Sequence, residues 1–268
     1  MPFATSSDGI RIAWRSDSAV PPGRAPAATI LLQHGLGLEM HAWDGWMAPL
    51  LAAGFRVLRA DLRGHGHSDR PAEGSLWSTR QLCDDLDTVL DDAGVGRCHI
   101  VGESWGGTAA LAFAAARPAR TACLAVMSTT YDGTAIPTIR GFAPLVRDRG
   151  IEAWSRMMLE ARFTAEIDPA VLDWVDRVQG ACTPHVIADM SDYVAAESIE
   201  PVLAAVRAPV LILAPQGSPF VQADTAASLA SRLADAELHR YPGHRHGLVL
   251  TGAEIGATEL VAFLQRRG

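Results

Sequence analysis

Apolar positions recur along this chain as short continuous runs separated by longer stretches with helical spacing. The runs lie at Thr29–Gln33, Arg56–Ala60, His99–Val101, Cys123–Met127, Val210–Ala214 and Glu237–Tyr241. Runs of this length read as strands buried on both faces of a parallel sheet. Ahead of them, Ile10-Arg11-Ile12-Ala13-Trp14 follows the turn signal Asp8-Gly9 and reads as the second arm of a hairpin. Helical patterns fall between most of the runs. One spans about 46–53 and stops at Gly54. A second spans 78–93, with Leu82, Leu86, Val89 and Leu90 on one face, and stops at Gly94. A third runs from Ser104 to Arg117 ahead of Pro118, and two more lie at 223–233 and 253–266. Strand–helix alternation of this kind predicts an α/β fold, doubly wound, with a mainly parallel sheet covered on both faces. Ligands of such sheets bind at the carboxyl ends of the strands. The interval from Gly133 to Ala205 breaks the rhythm: it is helical in pattern, has no clear strand, and predicts several short helices inserted over the sheet.

The strongest chemical signal is Gly102-Glu103-Ser104-Trp105-Gly106-Gly107, between the run His99-Ile100-Val101 and the helical Thr108–Phe113. A G-x-S-x-G sequence between strand and helix predicts a sharp turn that lifts the serine hydroxyl out of the sheet. The flanking glycines avoid collisions with the neighbouring strand and helix. The hydroxyl then sits at a helix N-terminus, where backbone N–H groups and the helix dipole favour a developing oxyanion. Upstream, Gln33-His34-Gly35-Leu36-Gly37 follows the strand at 29–33 and supplies a glycine-rich loop; the expected oxyanion donors are the N–H groups of Leu36 and Trp105. His34 reads as a histidine bonded to loop backbone. Asp61-Leu62-Arg63-Gly64-His65-Gly66-His67-Ser68-Asp69 fits a structural loop better than a metal site. Near the C-terminus, Tyr241-Pro242-Gly243-His244-Arg245-His246-Gly247 follows the last strand. Of its two histidines, His246 is the expected general base, because the longer loop can carry it back over Ser104.

These motifs resemble those of the α/β-hydrolase fold family: His34-Gly35-x-Gly37, Asp61-x-Arg63-Gly64-x-Gly66-x-Ser68, Gly102-x-Ser104-x-Gly106-Gly107 and Pro242-Gly243-x-x-His246. They occur in the family's order and span almost the whole chain. The stretch from His34 to Pro71 is similar to enol-lactonases and small carboxylesterases. Ser104-Trp105-Gly106-Gly107 is also similar to proline iminopeptidases, whose His-Gly-Gly-Pro-Gly is replaced here by His34–Leu38. The resemblance implies an eight-stranded, mainly parallel sheet. It also implies a core of residues 1–132 and 206–268 and a small helical cap at 133–205. Relatives that use an aspartate nucleophile, the haloalkane dehalogenases and epoxide hydrolases, are disfavoured by Ser104.

The chain departs from the family at the acid that orients the histidine. The turn expected to hold it reads Pro215-Gln216-Gly217-Ser218-Pro219-Phe220, with Ser218 in the aspartate's place. Asp132, at the end of the preceding strand, keeps the order Ser, Asp, His and is the expected acid. A dyad oriented by Ser218 or a water, with Asp224 a minor option, is one alternative; a site that has left hydrolysis is another. Glu103 is expected to point away from Ser104, and Glu39 and His41 could reach the pocket mouth.

Composition narrows the field. The 268 residues are 49% hydrophobic and 20% charged, as in ordinary globular proteins. A net charge of −7 argues against a nucleic-acid partner. All 23 basic residues are arginine. Cys83, Cys98, Cys123 and Cys182 form no paired motif, which suits a reducing compartment. With no secretion signal and no membrane-length apolar stretch, a cytoplasmic location without membrane association is expected. The expected activity is cofactor-free, metal-free hydrolysis of a small, apolar carboxylic ester or lactone through an acyl-enzyme on Ser104. Cofactor-independent dioxygenation, C–C hydrolysis, perhydrolysis and ligand binding without catalysis are the alternatives. A homo-oligomer stays open.

Overall fold

The computed structural model describes residues 1–164 and 166–268. Eight strands form one sheet: β1 (Phe3–Thr5), β2 (Arg11–Ser18), β3 (Thr29–Gln33), β4 (Arg56–Ala60), β5 (Cys98–Glu103), β6 (Thr121–Met127), β7 (Val210–Pro215) and β8 (Ala236–Tyr241). Their spatial order is β1-β2-β4-β3-β5-β6-β7-β8. The β1 and β2 pairings are antiparallel and all others parallel. β5 lies in the middle of the sheet, so the strand that delivers Ser104 is buried along its whole length. β8 differs from the other runs. It forms an edge, and its residues before Tyr241 are only partly buried or exposed, because no further strand or helix covers its outer side.

Alternation along the strands divides the core into two layers. Leu31, Leu58, Ile100, Val126 and Ile212 face α2 (Thr79–Asp92), α3 (Trp105–Ala116) and α8 (Ala223–Arg232). Their neighbours Ile30, Val57, Val101, Ala125 and Leu211 face α1 (Asp44–Ala52) and α10 (Ala253–Arg267). Side chains of a strand alternate between faces, so each central strand contributes to both layers. The helices carry the start signals their sequences hold: Ser78 Oγ caps α2 by accepting the Gln81 N–H at 3.2 Å. On the other face, Trp43 and Trp46 are fully buried edge to face, and Trp46 Nε1 donates to Val249 O at 2.8 Å.

Between β6 and β7 the chain forms α4 (Phe142–Arg149), α5 (Ile151–Arg162), α6 (Pro169–Gly180) and α7 (Pro184–Val194), with short 3-10 turns. These helices share a third apolar cluster with the sheet's carboxyl edge, joining Phe142, Trp154, Met158, Ile187 and Val194 to Leu36, Trp105 and Phe220. A further one-turn helix, α9 (Leu248–Thr251), follows the last loop. No helix among the described residues is long and apolar enough to cross a membrane.

Candidate active site

The loops after β3, β5, β6, β7 and β8 meet at the carboxyl edge. Ser104 stands between β5 and α3 with φ 52° and ψ −123°. A non-glycine residue in this region costs about 1–3 kcal/mol and persists only where the surroundings over-determine it. They do: Ser104 N donates to Met127 O at 2.8 Å, and Ser104 O accepts Gly107 N–H at 3.0 Å. A Cβ on Gly106 would strike the carbonyl oxygens of Gln33 and His34, so glycine is required there for the helix to pass against the β3 exit.

His246 Nε2 lies 3.0 Å from Ser104 Oγ. His244 instead meets Thr251 Oγ1 at 2.9 Å on the surface. His246 is buried and fixed from several sides. Ser128 Oγ donates to its carbonyl at 3.0 Å, Gly247 N donates to Arg162 O at 2.9 Å, and Phe220 packs edge-on with ring centroids 4.9 Å apart. Burial, with a smaller push from the Arg162 guanidinium, holds the imidazole's pKa well below its ordinary 6.5. The ring is therefore neutral near pH 7.

The other ring nitrogen decides the question of the acid. His246 Nδ1 faces Ser218 Oγ at 3.0 Å. Asp132 is not brought to the histidine: its carboxylate accepts Thr134 N–H at 3.0 Å and Thr134 Oγ1–H at 2.6 Å, capping the 3-10 turn at Gly133–Ala135. Among the described residues no carboxylate is hydrogen-bonded to His246.

The glycine-rich loop at Gly35–Gly37 follows β3. Leu38 N donates to Gly35 O at 3.3 Å, and Gly37 adopts φ 74°, the left-handed value that glycine takes without a steric cost. Leu36 lines the cavity beside Ser104, and Trp105, the first residue of α3, has an N–H that no intrahelical carbonyl can accept. His34 serves the loop backbone: Nε2 accepts Leu62 N–H at 3.0 Å and Nδ1 donates to Gly35 O at 2.8 Å. Burial pushes its pKa down to about 3. Asp61 likewise accepts the N–H groups of Met40 and His67, at 2.7 and 2.8 Å. Glu39 lines a separate surface cleft, and His41 meets Asp44.

Two side chains with no sequence signal, Arg162 and Ser128, complete the site, together with Glu103, which is oriented as its place beside the nucleophile predicts. Glu103 points away from Ser104 and accepts Gly35 N–H at 2.9 Å. Its other oxygen faces Arg162 Nη1 at 3.4 Å, in a pair with almost no solvent exposure. Burial raises the Glu103 pKa, opposed by Arg162 and by the Gly35 N–H. Arg162, at the end of α5, also donates to Leu36 O at 2.8 Å. Ser128, the second non-glycine residue with positive φ, at 50°, leaves β6 to hold the His246 loop.

A narrow cavity, about 480 Å³ when the open space at its mouth is included, opens onto Ser104 and His246. Ile136, Ile139, Phe142, Met158 and Val194 line it from the helical segment, and Phe220 and Val221 from the loop after β7. A strained serine hydroxyl on a neutral imidazole, beside a helix N-terminus and an apolar cavity, is an arrangement suited to acyl transfer. Metal-type convergence of three or more His, Cys, Asp or Glu side chains does not occur among the described residues.

A non-heme chloroperoxidase from Streptomyces lividans is 28% identical over 293 residues, covering 99% of this chain and all of that protein. A bifunctional esterase/perhydrolase from Acinetobacter calcoaceticus is 25% identical over 288 residues, covering 99% and 100%. The crystal structure of the enol-lactonase from Burkholderia xenovorans LB400 superposes with a TM-score of 0.86 at 26% identity, covering 98% of this chain and 100% of that one. The family model for the alpha/beta hydrolase fold matches residues 28–253. With that match spanning most of the chain, and the eight-stranded sheet and its elbow in place, the protein belongs to the α/β-hydrolase fold family.

Proposed function

We propose that this protein is a serine hydrolase that cleaves a small carboxylic ester or lactone with an apolar acyl group. Ser104 Oγ attacks the carbonyl carbon, its proton passes to His246 Nε2, and the leaving alkoxide takes that proton as the carbonyl re-forms. Water then attacks the acyl-enzyme by the same route and releases the acid and the free hydroxyl of Ser104. The amides of Leu36 and Trp105 face the developing oxyanion. The observation that carries this reading is the 3.0 Å contact between Ser104 Oγ and His246 Nε2 at the strained turn. The apolar lining and small volume favour short acyl groups.

A second reading, ligand binding with little or no turnover, is favoured by one observation, the hydroxyl of Ser218 in contact with Nδ1. A panel of p-nitrophenyl esters from acetate upward separates the two. The hydrolase reading expects turnover falling with chain length and a drop of at least about 100-fold in Ser104→Ala. Equal rates in the parent protein and Ser104→Ala would overturn it.

A further inference from the structure

We propose that Ser218 donates its hydroxyl proton to His246 Nδ1, so that the resting imidazole carries its own proton on Nε2 and Ser104 faces a donor rather than a base. The inference rests on the hydrolase reading only for its kinetic consequences.

It follows from counting donors and acceptors. A serine oxygen has two lone pairs and one proton. Ser218 Oγ accepts Val221 N–H at 3.1 Å and Phe220 N–H at 3.3 Å. Both lone pairs are then engaged, and the group retains a single donor. The remaining partner is His246 Nδ1 at 3.0 Å, in a buried setting. A neutral imidazole that accepts at Nδ1 holds its proton at Nε2. Nε2 is 3.0 Å from Ser104 Oγ, so in this state the histidine donates to the nucleophile.

A carboxylate at the same position would behave oppositely. Its oxygens have enough lone pairs to accept Phe220 N–H, Val221 N–H and an Nδ1–H together, and it has no proton to give. One change of residue therefore reverses the hydrogen-bond chain. Serine hydrolysis must then proceed through the minor tautomer, in which Nδ1–H faces an oxygen whose lone pairs are already taken. In triads, forcing the wrong tautomer lowers turnover about 10⁴-fold. The charged group that bears on the ring is Arg162, from α5, itself paired with Glu103; Phe220 and Ser128 are uncharged. Among the described residues no neighbouring negative charge thus replaces the missing carboxylate in stabilising an imidazolium.

The test compares the parent protein with Ser218→Asp and Ser218→Asn, a pair of nearly identical shape. Asparagine presents its carbonyl to the two backbone N–H groups and its NH₂ to Nδ1, so it preserves the resting tautomer; aspartate reverses it. Protein labelled with ¹⁵N in its histidine rings, with the His246 signals assigned by their loss in His246→Gln, reports which ring nitrogen is protonated. The expected result is an unprotonated Nδ1 in the parent and Ser218→Asn and a protonated Nδ1 in Ser218→Asp. Ester turnover should rise about 100-fold or more in Ser218→Asp relative to Ser218→Asn. The acid limb of its pH profile should move upward, because a carboxylate stabilises the imidazolium. A protonated Nδ1 in the parent, or measurable ester turnover that is no faster in Ser218→Asp than in Ser218→Asn, overturns the proposal. If no variant cleaves any ester while the spectra show the expected tautomers, the hydrolase reading falls and the Ser218 assignment stands.

Discussion

Arg162 Nη2 donates to the carbonyl of Leu36 at 2.8 Å, so a residue at the end of α5 holds the glycine-rich loop that follows β3. The same guanidinium faces Glu103, and the Arg162 carbonyl accepts Gly247 N–H beside His246. One residue of the helical segment therefore touches both loops that flank Ser104. Removing one partner of a buried ion pair leaves the other charge uncompensated, at a cost of about 3 kcal/mol. Arg162→Met is expected to lose that much stability in urea unfolding and to reduce kcat for every ester alike. The double variant Arg162→Met with Glu103→Gln should regain part of the stability without regaining kcat. Equal stability in parent and Arg162→Met would show that the pair is not coupled to folding.

Asp132 caps a 3-10 turn through Thr134, and its carboxylate makes no hydrogen bond to His246. Asp132→Asn should change ester turnover less than about twofold and lower stability by at most about 1 kcal/mol, as for loss of a cap. A large loss of kcat with normal stability would return Asp132 to the chemistry.

Cavity shape should set chain length. Val194, from α7, lines the space above Ser104. Val194→Phe is expected to shift the preference towards acetate, and Val194→Ala to extend it to longer acyl groups. Shifts of about tenfold in the ratio of kcat/KM values are expected, the usual worth of a methylene or two in an apolar pocket. Identical chain-length profiles would place the acyl group elsewhere.

Buried histidines link stability to pH. Burial, with a smaller push from Arg97, lowers the pKa of His99 to about 4 from an ordinary 6.5. Between those values the unfolded chain binds a proton that the folded protein does not. Stability from this group is therefore complete above pH 6.5 and is lost as pH falls towards 4, by about 1 kcal/mol per pH unit. His34 and His65 act in the same direction, while the raised carboxylates Asp61 and Glu103 oppose them. The difference between the parent protein and His99→Leu isolates the one group: the slope of unfolding free energy against pH should become shallower by one proton across this window. Parallel slopes would contradict it.

Much of this molecule is legible in its sequence for a physical reason. Buried parallel strands must be apolar on both faces, and sharp turns at their carboxyl ends require glycine, so β3 to β7 and the turns at Gly35 and Ser104 leave local signals. Ser78 and Gly94 likewise mark the two ends of α2. What stays hidden depends on contacts between distant positions. Arg162 meets Glu103 across 59 residues and Ser128 meets the His246 carbonyl across 118, and neither spacing has any periodicity. The positive φ of Ser128 is imposed by packing rather than by residue type. Ser218 stands between these cases. Its position after β7 is readable, but the direction of its hydrogen bond depends on two backbone N–H groups that only the folded loop brings to it.

The central claim is that Ser104 is an acylating nucleophile, and intact-protein mass after incubation with a fluorophosphonate probe tests it most directly. A single adduct is expected, mapped by peptide sequencing to Ser104, absent in Ser104→Ala and formed faster in Ser218→Asp. No adduct on the parent protein after prolonged incubation, or an adduct that persists in Ser104→Ala, would contradict it.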